Sequence, residues 1–233
     1  MVKVMCKKRI VILAIILFVV TVSSAILIFS IKACKESLTY DEKVETFIKE
    51  NPLLNQGQIV FIGDSITAKY KLNNHYKELN LKTYNRGISG DTTTWLLSRL
   101  QTSLFDIAPS KIVLMIGTND INYGKSAQEI ADSYKSILQL IQQKLPNAKT
   151  WCVSIIPQNT KYSKNALYNN AIICETNQKI QTLASFFGYE YVDLYSSLID
   201  DNGFLNSRYS TDGLHINSQG YNVWTNIMKN LLR

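Results

Sequence analysis

Four short blocks of this 233-residue chain hold residue types that can do chemistry: Gly63-Asp64-Ser65, Asn85-Arg86-Gly87-Ile88-Ser89-Gly90-Asp91, Gly117-Thr118-Asn119-Asp120 and Asp212-Gly213-Leu214-His215. A serine hydroxyl is a weak nucleophile near neutral pH and needs a base within hydrogen-bond reach. His215 can take the Ser65 proton and later return it to a leaving alcohol. Asp212, three residues earlier across Gly213, can accept from the far ring nitrogen and fix its tautomer. A tetrahedral intermediate also needs donors aimed at its oxyanion. The candidates are the backbone N–H groups of Ser65 and Gly90 and the side-chain amide of Asn119. Together these are the parts of an acyl-transfer site, with Ser65, His215 and Asp212 as catalytic candidates.

Taken singly, each block has a plainer explanation. Asp64 and Ser65 are residue types that cap helices. Asn119-Asp120 and Asp212-Gly213 are common turn pairs, and Gly87 and Gly90 can simply relieve backbone crowding. Asp64, Asp91 and Asp120 are read as caps or loop-holding groups. His75, in a polar stretch, is read as a surface histidine. Trp95, Trp224 and the tyrosines suit a substrate groove or core packing equally well.

The elements that must position the blocks follow from apolar periodicity. Strands are expected over Gln58–Ile62, Thr83–Asn85, Lys111–Ile116, Thr150–Ile156 and Tyr191–Leu194. Helices are expected over Thr92–Phe105, Ser126–Leu145, Asn165–Phe187 and Asn217–Leu232, with a mixed helix-like stretch running to Leu79. The uninterrupted apolar run Lys111–Ile116 suits a strand buried on both faces. Strand and helix alternate, which requires a parallel sheet covered by helices on both faces. Such sheets bind ligands at the carboxyl ends of their strands. Three of the blocks lie just past a strand, and the fourth directly precedes the last helix.

The four blocks resemble, in order, the signature segments of the SGNH (GDSL-type) hydrolases, over about residues 57–233. The segment Asn85–Thr92 is especially similar to the platelet-activating-factor-acetylhydrolase-like branch. The first block reads Gly-Asp-Ser-Ile-Thr, with Ile66 where the name-giving version has leucine. The resemblance implies a flavodoxin-like three-layer α/β/α domain. It also implies a nucleophile at Ser65, oxyanion donors at Ser65, Gly90 and Asn119, and an Asp212–His215 pair.

Apolar residues make up 46% of the chain and charged residues 18%, which argues against a disordered or low-complexity protein. The net charge of +7 is uneven: residues 1–35 hold six basic and no acidic residues, leaving 19 basic against 18 acidic elsewhere. The basic excess therefore belongs to the N-terminus, and a nucleic-acid partner is not implied. Ile10–Ile31 carries no charge, and a helix of that length spans the roughly 30 Å of bilayer hydrocarbon. Lys3, Lys7, Lys8 and Arg9 precede it and only Lys32 and Lys35 follow. The positive-inside bias thus places the N-terminus in the cytoplasm and the rest outside. A cleaved signal peptide, or a lipidated Cys34, would export the domain equally, but a signal peptide's apolar core is only about 7–15 residues long.

The expected organisation is a cytoplasmic segment over 1–9, one transmembrane helix over 10–31, a stalk over 32–56 and the hydrolase domain over 57–233. The cysteines form no zinc or disulfide spacing, and Cys152 and Cys174 are read as small buried hydrophobes. Two histidines in the whole chain argue against a histidine-rich metal site. The expected activity is that of a membrane-anchored, extracytoplasmic serine esterase acting on an acylated carbohydrate or lipid, with no metal or cofactor. Short inter-element segments leave little room for a lid and favour a small acyl group such as acetyl. A catalytically idle binding module and an O-acyltransferase are the alternatives.

Overall fold

The computed structural model describes residues 39–233. The expected cytoplasmic segment, transmembrane span and residues 32–38, with Cys6 and Cys34, lie outside the described residues. Among the described residues no helix is long and apolar enough to cross a membrane.

Five strands form one sheet: β1 (Ile59–Gly63), β2 (Thr83–Gly87), β3 (Lys111–Met115), β4 (Lys149–Val153) and β5 (Glu190–Val192). Their spatial order is β2-β1-β3-β4-β5, and every neighbouring pair is parallel. The helices are α1 (Tyr40–Glu50), α2 (Ser65–Ala68), α3 (Leu72–His75), α4 (Thr93–Ser98), α5 (Leu100–Ser103), α6 (Thr118–Asn122), α7 (Ala127–Lys144), α8 (Ala166–Phe186) and α9 (Ser218–Leu231).

Successive strand residues point to opposite faces, and here both faces are apolar. Val60, Ile62, Ile112 and Leu114 pack with Leu96 of α4, Leu100 of α5, Ile137 of α7 and Ile180 of α8. Ile59, Phe61, Val113, Met115 and Trp151 pack on the other face with Ile66 of α2, Leu72 of α3 and Trp224 and Met228 of α9. The result is the three-layer α/β/α fold with a parallel sheet.

Several elements differ from their expected extents, each for a physical reason. The expected helix Thr92–Phe105 is broken into α4, α5 and a 3-10 turn at Phe105–Ile107. The break falls at Arg99, whose backbone leaves the helical region while its side chain reaches the strand ends. β4 stops at Val153 rather than Ile156, because the Asn177 side chain takes both backbone groups of Ile155, at 2.8 and 2.9 Å. The span read as a stalk is docked on the domain from residue 44 onward. The compact unit runs Val44–Arg233, Phe47 is buried, and the guanidinium of buried Arg86 lies 4.3 Å from the Phe47 ring centroid. Arg86 also donates to Glu50 and to Asn51, both at 2.9 Å.

Cys152 is buried, but Cys174 is exposed on α8 and meets the Tyr195 hydroxyl at 3.3 Å. His75 is half-buried rather than a free surface group: its Nδ1 is 2.9 Å from Thr225 Oγ1 on α9. Trp224 is core, whereas Trp95 is 47% exposed.

Gly63 closes β1 where the neighbouring strand and α2 leave no room for a side chain. A Cβ there would run into the carbonyl oxygen of Met115 and press on Thr67 Oγ1. Gly63→Ala is therefore expected to destabilise the domain by about 1–3 kcal/mol, read as a lower urea midpoint. An unchanged midpoint would contradict the crowding.

Candidate active site

Strand register brings the first three blocks to one edge. Gly63 lies opposite Gly87 of β2 and Met115 of β3, so the chain leaves the sheet side by side toward Ser65, the 88–91 loop and Asn119. Asp64 is extended, and its Oδ1 accepts from the Ile66 N–H at 2.9 Å, capping α2. That cap sets Ser65 in the first turn, where helical N–H groups precede their intrahelical partners. Ser65 is only 8% exposed.

The fourth block is self-contained. Asp212 Oδ1 accepts from the N–H groups of Leu214 (2.9 Å) and His215 (2.8 Å), while Oδ2 accepts from His215 Nδ1 at 2.7 Å. A carboxylate only accepts, so Nδ1 carries the proton and Nε2 is left as an acceptor. Nε2 lies 2.9 Å from Ser65 Oγ, across 150 residues of sequence. Partial burial works against the Asp212 charge, but the imidazole and the two backbone donors hold its carboxyl well below the usual range. Gly213 has φ +83, and a Cβ there would meet the Tyr162 backbone nitrogen at 2.8 Å. The Asn159 N–H donates to the Gly213 carbonyl at 2.8 Å and braces the loop.

Two of the candidate oxyanion donors are linked through one loop. Asn119 Nδ2 donates to the Asp91 carbonyl at 2.8 Å, placing its amide on the loop of Gly90. That loop is tied to β1 by Ile88 N–H donating to the Gly63 carbonyl at 3.0 Å. The amide carries a second hydrogen beyond the one given to Asp91.

Two supporting groups stand out only in three dimensions. Arg99, buried, donates to Asp91 from Nε at 2.8 Å, to the Arg86 carbonyl and Ser103 Oγ from one terminal nitrogen, and to the Gly63 carbonyl from the other. Its only signal in the sequence is a lone charge inside a leucine-rich stretch. Asp120 accepts from Thr93 N–H at 2.8 Å and from Thr93 Oγ1 at 2.6 Å, and pairs with Lys125 at 2.7 Å. It therefore pins α4 to α6, beyond the turn-holding role expected of it.

Parallel strands with a carboxylate, an imidazole and a serine in a row at their carboxyl ends define an α/β protein built for ester chemistry. The GDSL-like Lipase/Acylhydrolase family model matches residues 61–223. Platelet-activating factor acetylhydrolase IB subunit alpha2 from Homo sapiens is 30% identical over 170 residues, 70% of either chain. A solved Streptococcus pneumonia protein, provisionally called a platelet activating factor, superposes with TM-score 0.77 at 30% identity, covering 91% of this chain and 99% of that one. An acetylxylan esterase from Geobacillus stearothermophilus, in a catalytic mutant, shares the fold at TM-score 0.63 and 16% identity, covering 77% and 95%. The chain belongs to the GDSL-like lipase/acylhydrolase family. It is an ester-hydrolysing enzyme.

Asp64 lends the site a distinctive pH response. It is fully buried, and its Oδ2 has no hydrogen-bond partner among the described residues. Burial pushes its carboxyl up to about 7, against the pull of the Ile66 N–H. A raised folded value means that Asp64 binds more proton in the native state than in the unfolded chain from about pH 4 to 7, so its own contribution to stability falls as pH rises through that window. Asn keeps the cap acceptor and does not titrate. Asp64→Asn is expected to remove part of the fall, on the order of a few kcal/mol across the window. Urea unfolding at pH 4.5, 6 and 7.5 measures it, and parallel profiles for both proteins would refute the assignment.

Proposed function

We propose that the enzyme is a serine esterase working through an acyl-enzyme, with Ser65 as nucleophile, His215 as acid–base and Asp212 as its orienting carboxylate. The observation that carries this reading is the unbroken row Ser65–His215–Asp212, with contacts of 2.9 and 2.7 Å. As Ser65 Oγ bonds to the ester carbonyl carbon, its proton passes to His215 Nε2. Collapse of the tetrahedral intermediate breaks the ester C–O bond, and His215 returns the proton to the departing alkoxide. A water then repeats the sequence: it gives its proton to His215, attacks the acyl carbon, and Ser65 leaves reprotonated. The Ser65 and Gly90 N–H groups and the Asn119 amide stabilise the oxyanion in both halves.

The substrate in this reading bears a small acyl group, such as acetyl, on a carbohydrate, in preference to a lipid ester. Its support is the short connections after β1, β2 and β3, which leave little chain for a lid there. Contrary to the expectation of short segments throughout, residues 154–165 after β4 and 193–217 after β5 are long, and the latter carries Asp212 and His215. The acetylxylan-esterase neighbour shares the fold alone. The proposed location is outside the cell membrane, anchored through residues 10–31 with the N-terminus in the cytoplasm. The uncharged 22-residue run and the basic residues before it support that placement.

Incubation with a fluorophosphonate probe tests the nucleophile. Stoichiometric labelling of the wild type is expected, with none in Ser65→Ala; labelling that survives the substitution would overturn the assignment. The oxyanion role is tested by Asn119→Ala, expected to lower kcat by about 10²–10³ with little change in KM. A loss confined to KM would show that the amide binds the ground state instead.

A further inference from the structure

A cavity of about 410 Å³ lies along α6, the helix of Asn119, a volume within the roughly 300–1,000 Å³ typical of small-ligand sites. One wall is α6, which carries Asn119 at its start and Asn122 at its end. The opposite wall is the 159–163 segment, which is tied to the triad loop by Asn159 N–H donating to the Gly213 carbonyl and by the packing of Tyr162 on Gly213. The cavity is thus flanked by the helix whose first turn carries the oxyanion amide and by the segment that braces the turn of His215.

Its lining has a definite chemistry. Side-chain amides come from Asn122, Asn165 and Asn169, a hydroxyl from Ser163, and two aromatic rings from Tyr162 and Tyr168. No charged residue lines it, and Ile121 is the sole aliphatic side chain among the lining residues. An alkyl chain would require aliphatic walls, and a phosphate or phospholipid headgroup would require cations. Uncharged amides and hydroxyls between aromatic rings match the alternating polar edges and apolar C–H faces of a neutral sugar.

The polar wall is also held rigid. Buried Gln158 donates from Nε2 to Asn122 Oδ1 at 2.8 Å and accepts from Asn169 Nδ2 at 2.8 Å. Asn122 Nδ2 in turn donates to the Tyr162 hydroxyl at 3.2 Å. Groups fixed in this way lose little freedom on binding, which favours affinity. Tyr168, 68% exposed, and Tyr162, 42% exposed, offer their rings to a ligand.

We infer that this cavity is a subsite for a neutral oligosaccharide, binding the sugar portion of the ester while Ser65 attacks its acyl group. The inference rests on the esterase reading and extends it to the substrate's alcohol side. Sugar hydroxyls would bond to Asn122, Asn165 and Ser163, and a pyranose face would stack on Tyr168.

The test uses the full chain and compares kcat/KM for p-nitrophenyl acetate with that for O-acetylated xylo-, cello- and chito-oligosaccharides. The wild type is expected to turn over at least one glycan ester. Tyr168→Ala is expected to lower the glycan-to-aryl acetate ratio by about tenfold or more. Tyr168→Phe, which keeps the ring, should hold most of that ratio, and Phe186→Ala, on the same helix but outside the cavity, should leave it unchanged. An equal ratio in Tyr168→Ala and wild type overturns the subsite. So does a wild type that cleaves p-nitrophenyl acetate but none of the glycan esters, an outcome that leaves the esterase reading standing. A wild type inactive even on p-nitrophenyl acetate defeats that reading, and with it the subsite.

Discussion

The geometry at the strand ends depends on one buried guanidinium. Arg99 sits where α4 breaks, and it reaches the carbonyls of Gly63 and Arg86, the carboxylate of Asp91 and the hydroxyl of Ser103. Gly63 leads into Ser65, and Asp91 follows Gly90, so a single side chain spaces the nucleophile from the loop that faces it. The Arg99–Asp91 contact, 2.6 Å at its shortest, is almost completely withdrawn from water. Breaking such a pair typically costs about 3–5 kcal/mol, because the remaining charge is stranded. Arg99 makes the spacing rigid: the planar fork must satisfy several acceptors at once, and few arrangements of the two loops allow that.

The serine and the histidine are held in different ways. Ser65 is fixed by the sheet, through strand register and the Asp64 cap. His215 is fixed by its own turn, whose carboxylate orients both the imidazole and two backbone N–H groups within four residues. Only a few contacts then have to bring turn and sheet together. Among them are the brace from Asn159 to Gly213, the packing of Tyr162 on Gly213, and α9, whose Tyr221 hydroxyl donates to the Ile66 carbonyl at 2.7 Å.

Much of this is legible in the sequence because strand ends are. An apolar run followed by Gly-Asp-Ser or Gly-Thr-Asn-Asp marks both an element boundary and a chemical group, and a parallel sheet gathers such boundaries at one edge. Ser65, Gly90 and Asn119 are visible for that reason, and Asp212 and His215 because their block directly precedes the last helix. Arg99 is not, because the leucines around it continue a helical period that hides the break. The early end of β4 is equally hidden: the run to Ile156 stays apolar, and only the distant Asn177 shows where pairing stops. Phe47 looks like a stray aromatic in a polar stretch until Arg86, far along the chain, is seen stacked on it.

The same edge explains why so much charge is buried in so small a space. Asp64, Asp91 and Asp120 are all fully buried, yet only Arg99 and Lys125 pair with them. Asp91 and Asp120 therefore have cationic partners, whereas Asp64 has none, and burial pushes its carboxyl up. Apolar residues at these positions would avoid the desolvation, but they could not cap α2, anchor Arg99 or hold Thr93 against α6. Each carboxylate fixes a loop that hydrophobic contact, being non-directional, would leave free to slide. The stability sacrificed here is the counterpart of atoms held in position, and sites that must be preorganised commonly trade the one for the other.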